Sequence, residues 1–79
     1  MKQPIDLLIA LEVRNNCPMT KEQMRRMDFG IYKDFVDFCM NQGYLQEYLT
    51  KTSLGIANYV LSPKGRIMAI KEIERRNKK

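Results

Sequence analysis

Apolar positions recur at two different periods along this chain, and the change between them falls near Gly43. In residues 4–14, PIDLLIALEVR, the side chains of Ile5, Leu8, Ile9 and Val13 share one face at helical spacing. Pro4 suits a first helical turn, where its missing N–H costs nothing. Asn15-Asn16 followed by Cys17-Pro18 ends the helix, because the residue before a proline is pushed out of the α region. A first helix is therefore expected over about 4–15. Thr20 and Gln23 have the spacing of a capping box, which starts a second helix over about 21–27. Met27-Asp28-Phe29-Gly30 reads as its break, with Gly30 free to take a positive φ. A third helix follows over about 30–42, with Asp28 or Gly30 capping its start and Gly43 closing its end. Its Tyr32, Phe35, Val36 and Cys39 fall at i, i+3, i+4 and i+7, one buried stripe.

Past Gly43 the helical period is lost. Tyr44 to Leu49 is mixed, and Ile56 to Leu61 is β-branched and aromatic, as strands prefer. The polar stretch Thr50 to Gly55 separates them, so the two runs predict a hairpin with strands over about 44–49 and 56–61. Ser62 then reads as an N-cap and Pro63 as the first residue of a fourth helix over about 63–76. Ile67, Ile70 and Ile73 make an apolar stripe on it, and Gly65 is a small propensity cost. The expected fold class is α+β, mainly α, in one domain spanning 1–79: a three-helix core, a two-stranded hairpin and a C-terminal helix.

Composition narrows the function classes. A chain of 79 residues, 44% of them hydrophobic, supports a small core and is not disordered. No apolar run approaches the roughly 18 residues that cross a bilayer. The first segment is broken by Asp6 and Glu12 and has no small-residue cleavage site, so it reads as a helix and not a signal peptide. A cytoplasmic, intracellular protein without membrane contact is expected. Two cysteines and no histidine cannot form a four-ligand zinc site within the chain, and they exclude Ser-His and Cys-His nucleophile pairs. Cys39, among Phe35, Val36 and Phe38, reads as a small buried hydrophobe, with a disulfide the minority reading. No glycine-rich phosphate cradle and no clear carboxylate pair is present. Neither an enzyme, a metal nor a cofactor is expected.

The formal charge of +5 is unevenly placed. Residues 1–50 carry six Lys/Arg and seven Asp/Glu, whereas residues 51–79 carry eight and two. A basic half beside a nearly neutral one points to a polyanion, of which nucleic acid is the commonest, or to a solvated basic tail.

Two stretches also resemble a known family. Gly43-Tyr44-Leu45 and, further on, Tyr59, Leu61, Ser62, Lys64 and Gly65 look like the two ends of the wing in short archaeal and viral winged helix-turn-helix transcription regulators. In outline they are similar to the MarR and PadR families. The resemblance runs from Ile5 to about Ile73, with helix 2 and its turn shorter than is usual there. It implies a winged helix-turn-helix fold, double-stranded DNA as partner, helix 3 in the major groove, the wing on the phosphate backbone, and a homodimer through the terminal helices.

Mapped onto this chain, helix 3 turns Gly30, Lys33, Asp34, Asp37 and Asn41 outward. Lys33 and Asn41 are its candidate DNA-binding donors, whereas the two aspartates would repel phosphates. Lys21, Arg25 and Arg26 on helix 2 are candidate phosphate contacts. Lys51, Thr52 and Ser53 at the wing tip suit phosphate or minor groove. Lys64 and Arg66 begin helix 4, where helix amides favour a phosphate. Ile67, Ile70 and Ile73 are candidates for the dimer interface, the alternative being packing on helix 1 of the same chain. The methionines read mostly as core filler. The expected function is a DNA-binding transcriptional regulator. The alternative is a protein–protein interaction module using the acidic face of helix 3.

Overall fold

The computed structural model describes residues 2–48 and 55–78. Its elements run α1 (Pro4–Val13), α2 (Lys21–Gly30), α3 (Lys33–Asn41), β1 (Leu45–Glu47), β2 (Tyr59–Leu61) and α4 (Pro63–Asn77). The result is a mainly helical, winged-helix-like α+β arrangement. The wing-tip positions Thr50, Lys51, Thr52 and Ser53 lie outside the described residues.

Helix α1 opens with Pro4, and the Gln3 N–H donates to Asp6 Oδ2 at 2.6 Å. Its inner face differs from the one expected. Leu7, Leu8 and Leu11 are buried, while Ile5 and Ile9 are only half-buried and Val13 is 66% exposed. The expected stripe overlaps a second one, Leu7, Leu8 and Leu11, that spacing also permits, and the partners α3 and α4 select the leucine one. Asn15 and Asn16 close the helix in the left-handed region, with φ of 61° and 53°, which asparagine tolerates better than most side chains. The turn also aims a side chain. Asn16 Oδ1 accepts the Leu61 N–H at 2.7 Å and so fastens the end of α1 to β2.

Strand β2 is paired on both sides. It is antiparallel to β1, with Leu45 opposite Leu61 and Glu47 opposite Tyr59. On its other side Met19 and Tyr59 exchange two backbone hydrogen bonds of 3.0 and 2.7 Å. Directly after Met19, Thr20 and Gln23 form their reciprocal cap: Gln23 N–H to Thr20 Oγ1 at 3.1 Å, Thr20 N–H to Gln23 Oε1 at 2.9 Å. Helix α2 is regular only up to Arg26. Met27 is extended, and Asp28, Phe29 and Gly30 are left-handed. Neither Asp28 nor Gly30 caps α3. Its N-cap is Tyr32, which makes no side-chain cap bond, and the Ile31 N–H bonds the Asp28 carbonyl at 3.3 Å instead.

Tyr32, Val36 and Cys39 of the α3 stripe are buried, with Phe35 half-buried beside them. They meet Leu7, Leu8 and Leu11 of α1, Met24 and Met27 of α2, Leu45 and Leu61 of the sheet and Ala69 of α4. Cys17 is exposed, Cys39 is buried, and both are free thiols.

The joint into α4 is the tightest place in the chain. Ser62 accepts the Gly65 N–H at 3.0 Å and donates its hydroxyl to the Gly43 carbonyl at 2.6 Å. The Ser62 N–H donates to the Tyr44 carbonyl at 2.9 Å. A β-carbon at Gly65 would lie 2.1 Å from that same Tyr44 oxygen. The glycine is therefore a requirement of close approach, and not merely a propensity cost. Gly65→Ala is expected to destabilise the protein by about 2–3 kcal/mol in urea unfolding, because backbone must shift to admit the methyl. Gly43→Ala, where nothing lies within 4 Å, carries only the left-handed penalty of about 1–2 kcal/mol and serves as the comparison.

Candidate nucleic-acid interface

The outer side of α3 is exposed, bridged to α2 at Asp37 and bordered at Phe38 by a pocket shared with α1 and Met68. Lys33, Asp34, Asp37, Phe38 and Asn41 are all exposed along it. Lys33, Asp37 and Asn41 stand one turn apart on a single stripe, about 12 Å from end to end. Among the described residues, Lys33, Asp34 and Asn41 have no ion-pair partner or side-chain hydrogen bond. Asp37 does, because Arg25 Nη2 donates to its Oδ1 at 2.9 Å and bridges α2 to α3. One of the two aspartates that would repel phosphate is thus already neutralised within the chain.

The α2 cations lie on the adjoining surface. Arg26 pairs with Glu22 one turn back at 2.8 Å, in a fully solvated setting. Such exposed pairs are worth about 0–1 kcal/mol, so Arg26 exchanges its partner readily. Lys21 holds its ammonium 5.5 Å from the centre of the Tyr59 ring. Thr20, Lys21, Glu22, Arg25, Ile56, Ala57 and Tyr59 line an open groove of about 350 Å³ between the start of α2 and β2. The structure therefore brings Lys21, Arg25 and Arg26 together beside the wing, next to the α3 face.

Lys64 and Arg66 behave differently. Lys64 Nζ donates to the Gln42 carbonyl at 2.9 Å, capping the end of α3, and lies 5.0 Å over the Tyr44 ring. Arg66 grips Glu12 of α1 with two bonds of 3.0 and 3.1 Å, and the pair raises its pKa further. A bidentate guanidinium–carboxylate fork is directional, and here it joins two helices. The two arginines at the end of α4 are also paired, whereas Lys71 is exposed and has no ion-pair partner among the described residues. Arg76 bonds both Asp6 and Glu72, and Arg75 also bonds Glu72.

Ile67 and Ile70 are exposed, Ile73 is half-buried, and the buried residues of α4 are Gly65, against Tyr44, and Ala69 in the core. The outward isoleucines join Val60, Leu61 and Pro63 along an open groove of about 450 Å³ between α4 and the sheet. Sequence reasoning missed Phe29, which is fully exposed in the α2–α3 turn. Its signal was an aromatic residue directly before a break glycine, outside any apolar period. Among the described residues, no three His, Cys, Asp or Glu side chains gather to hold a metal, and no helix is long and apolar enough to cross a membrane.

The crystal structure of SSV1 F-93 has a similar fold, with a TM-score of 0.54 and 19% identity over 96% of this chain and 91% of that one. No protein-family model and no curated protein matches the chain. The likeness is one of backbone arrangement.

The ion pairs within α4 and from α4 to Asp6 of α1 give stability a pH dependence. Hydrogen bonds from Arg75 and Arg76 lower the Glu72 pKa from 4.5 to about 2. At Asp6, burial alone would raise the pKa, but the Gln3 N–H and Arg76 outweigh it and leave it lowered. A carboxylate with a lowered folded pKa contributes stability above its unfolded pKa and loses it as pH falls through the folded one. Stability is therefore expected to drop between about pH 4.5 and 2, and Glu72→Gln to flatten that limb in thermal melts recorded against pH. Raising the salt weakens the effect, since these side chains are near water.

Proposed function

We propose that the chain binds duplex DNA as a transcriptional regulator of winged-helix type. The observation that carries this is the exposed face of α3, on which Lys33 and Asn41 have no side-chain partner among the described residues, with Lys21, Arg25 and Arg26 on the adjoining surface and a hairpin beside it. Lys33 and Asn41 meet base edges, and Lys21, Arg25 and Arg26 sit on phosphates. Lys51, Thr52 and Ser53 extend the phosphate contact at the wing tip. Lys64 and Arg66 serve the fold first, through Gln42 and Glu12. The resemblance of Gly43-Tyr44-Leu45 and of Tyr59 through Gly65 to the wing ends of such regulators supports the same reading.

A second copy is the proposed occupant of the groove beside α4. Ile67 and Ile70 are large, apolar and in water, and a chain of 79 residues has little core to spare. A two-fold dimer would present two α3 helices to two half-sites.

Binding is tested by fluorescence anisotropy with duplex DNA across a salt series. About four cations per protomer on phosphates predict a slope of log affinity against log salt near −4 per protomer, reduced by about one in Arg26→Ala. A flat response removes the DNA reading. Asp34→Lys is expected to strengthen non-specific binding. Were α3 a protein-docking face instead, which its unpaired Asp34 would favour, that substitution would leave DNA binding absent. For the dimer, sedimentation equilibrium at micromolar concentration should give twice the chain mass, and Ile67→Lys with Ile70→Lys the mass of one chain.

A further inference from the structure

The turn from α2 into α3 is made by three consecutive left-handed residues, Asp28, Phe29 and Gly30, with φ of 47°, 62° and 85°. Glycine takes this region freely and aspartate is tolerated there, but a phenylalanine is strained. The strain is not offset by packing. The Phe29 ring is fully exposed, and among the described residues it has no aromatic or cationic partner. Ile31, two residues on, is 45% exposed. An apolar tip therefore stands in water at the entry to the helix that the DNA reading places in the major groove.

The chemistry around the tip says which part of a duplex it fits. Asp28, its neighbour in the chain, and Asp34, in the first turn of α3, are exposed carboxylates, which disfavour a phosphate at this turn. Pyrimidine edges fit instead. In the major groove thymine presents a C5-methyl group, which an apolar ring can cover, and cytosine presents an amino donor, which a carboxylate accepts. We infer that Phe29 is a base-reading residue whose ring packs on the C5-methyl of a thymine at the N-terminal end of α3. The inference rests on the DNA reading above and adds to it a residue and a base. Lys33, the first residue of α3 and unpaired among the described residues, adds positive charge on the far side of the turn from Arg25 and Arg26.

The test uses the full chain and a duplex selected by it from a random pool. Each thymine of that duplex is replaced in turn by deoxyuridine, which lacks only the methyl. The wild-type chain is expected to lose about fourfold in affinity at one position per half-site, the value of one buried methyl. Phe29→Ala should bind the parent duplex about fourfold more weakly and be indifferent to deoxyuridine at that same position. Its ring is exposed, so its thermal melt should match or exceed the wild type. Indifference of the wild type to every replacement, with binding intact, overturns the inference and leaves DNA binding standing. So does a Phe29→Ala chain that keeps the wild-type methyl sensitivity, in which case the ring is left to a protein partner. Failure to enrich any duplex, with no binding at low salt, removes the DNA reading and this inference with it.

Discussion

The contact between the Tyr44 carbonyl and the first turn of α4 is the constraint on which the rest of the structure hangs. That oxygen accepts the Ser62 N–H at 2.9 Å and leaves room for nothing larger than hydrogen at Gly65. Around it, the Ser62 hydroxyl takes the Gly43 carbonyl and the Lys64 ammonium takes the Gln42 carbonyl. These are the free carbonyls at the end of α3, groups that would otherwise need water or a C-terminal cap. One knot thus closes α3, fixes the base of the hairpin and starts α4. The direction of the wing relative to α3, on which any use of that surface depends, follows from it.

What was legible in the sequence was local. The Thr20–Gln23 box, the Ser62 cap and the Tyr32, Val36 and Cys39 stripe each involve residues within two helical turns, and each forms as its spacing implies. What was not legible depends on distant partners. Gly65 looked like a blemish in a helix because the oxygen it makes room for lies 21 positions earlier. Leu7 and Leu11 were passed over for Ile5 and Val13 because two stripes fit the same helix, and only the packing of α3 and α4 distinguishes them. Arg66 looked like a phosphate ligand because its partner Glu12 lies 54 residues away.

The same non-local pairing changes the meaning of the charge asymmetry. The arginines of the basic C-terminal part are not free cations, although Lys71 and Lys78 are exposed. Arg66 and Arg76 are held by Glu12 and Asp6, which join α4 to α1, and Arg75 pairs with Glu72 within α4. Net charge still sets the long-range field around the molecule. Contact chemistry is a separate matter, and for the described residues it falls to α2 and α3, where Arg25 is half-shielded by Asp37 and Lys33 is open. The cations that hold the fold together and those available to a ligand are largely different residues, although both belong to one composition.

The left-handed turn at 28–30 completes this division. Met24 and Met27 on one side and Tyr32 and Val36 on the other are buried in a common core, so few residues remain to redirect the chain from α2 into α3. Arg25 and Asp37 fix the two helices further. Packing therefore imposes the backbone, and for a side chain with a β-carbon the cost is about 1–2 kcal/mol per residue. Asparagine or glycine at position 29 would lower that cost, and any polar residue would avoid leaving a ring in water. Phenylalanine does neither. Folding explains why the backbone bends there, but it gives no reason for the ring, since glycine or a small polar side chain would serve the same turn at lower cost.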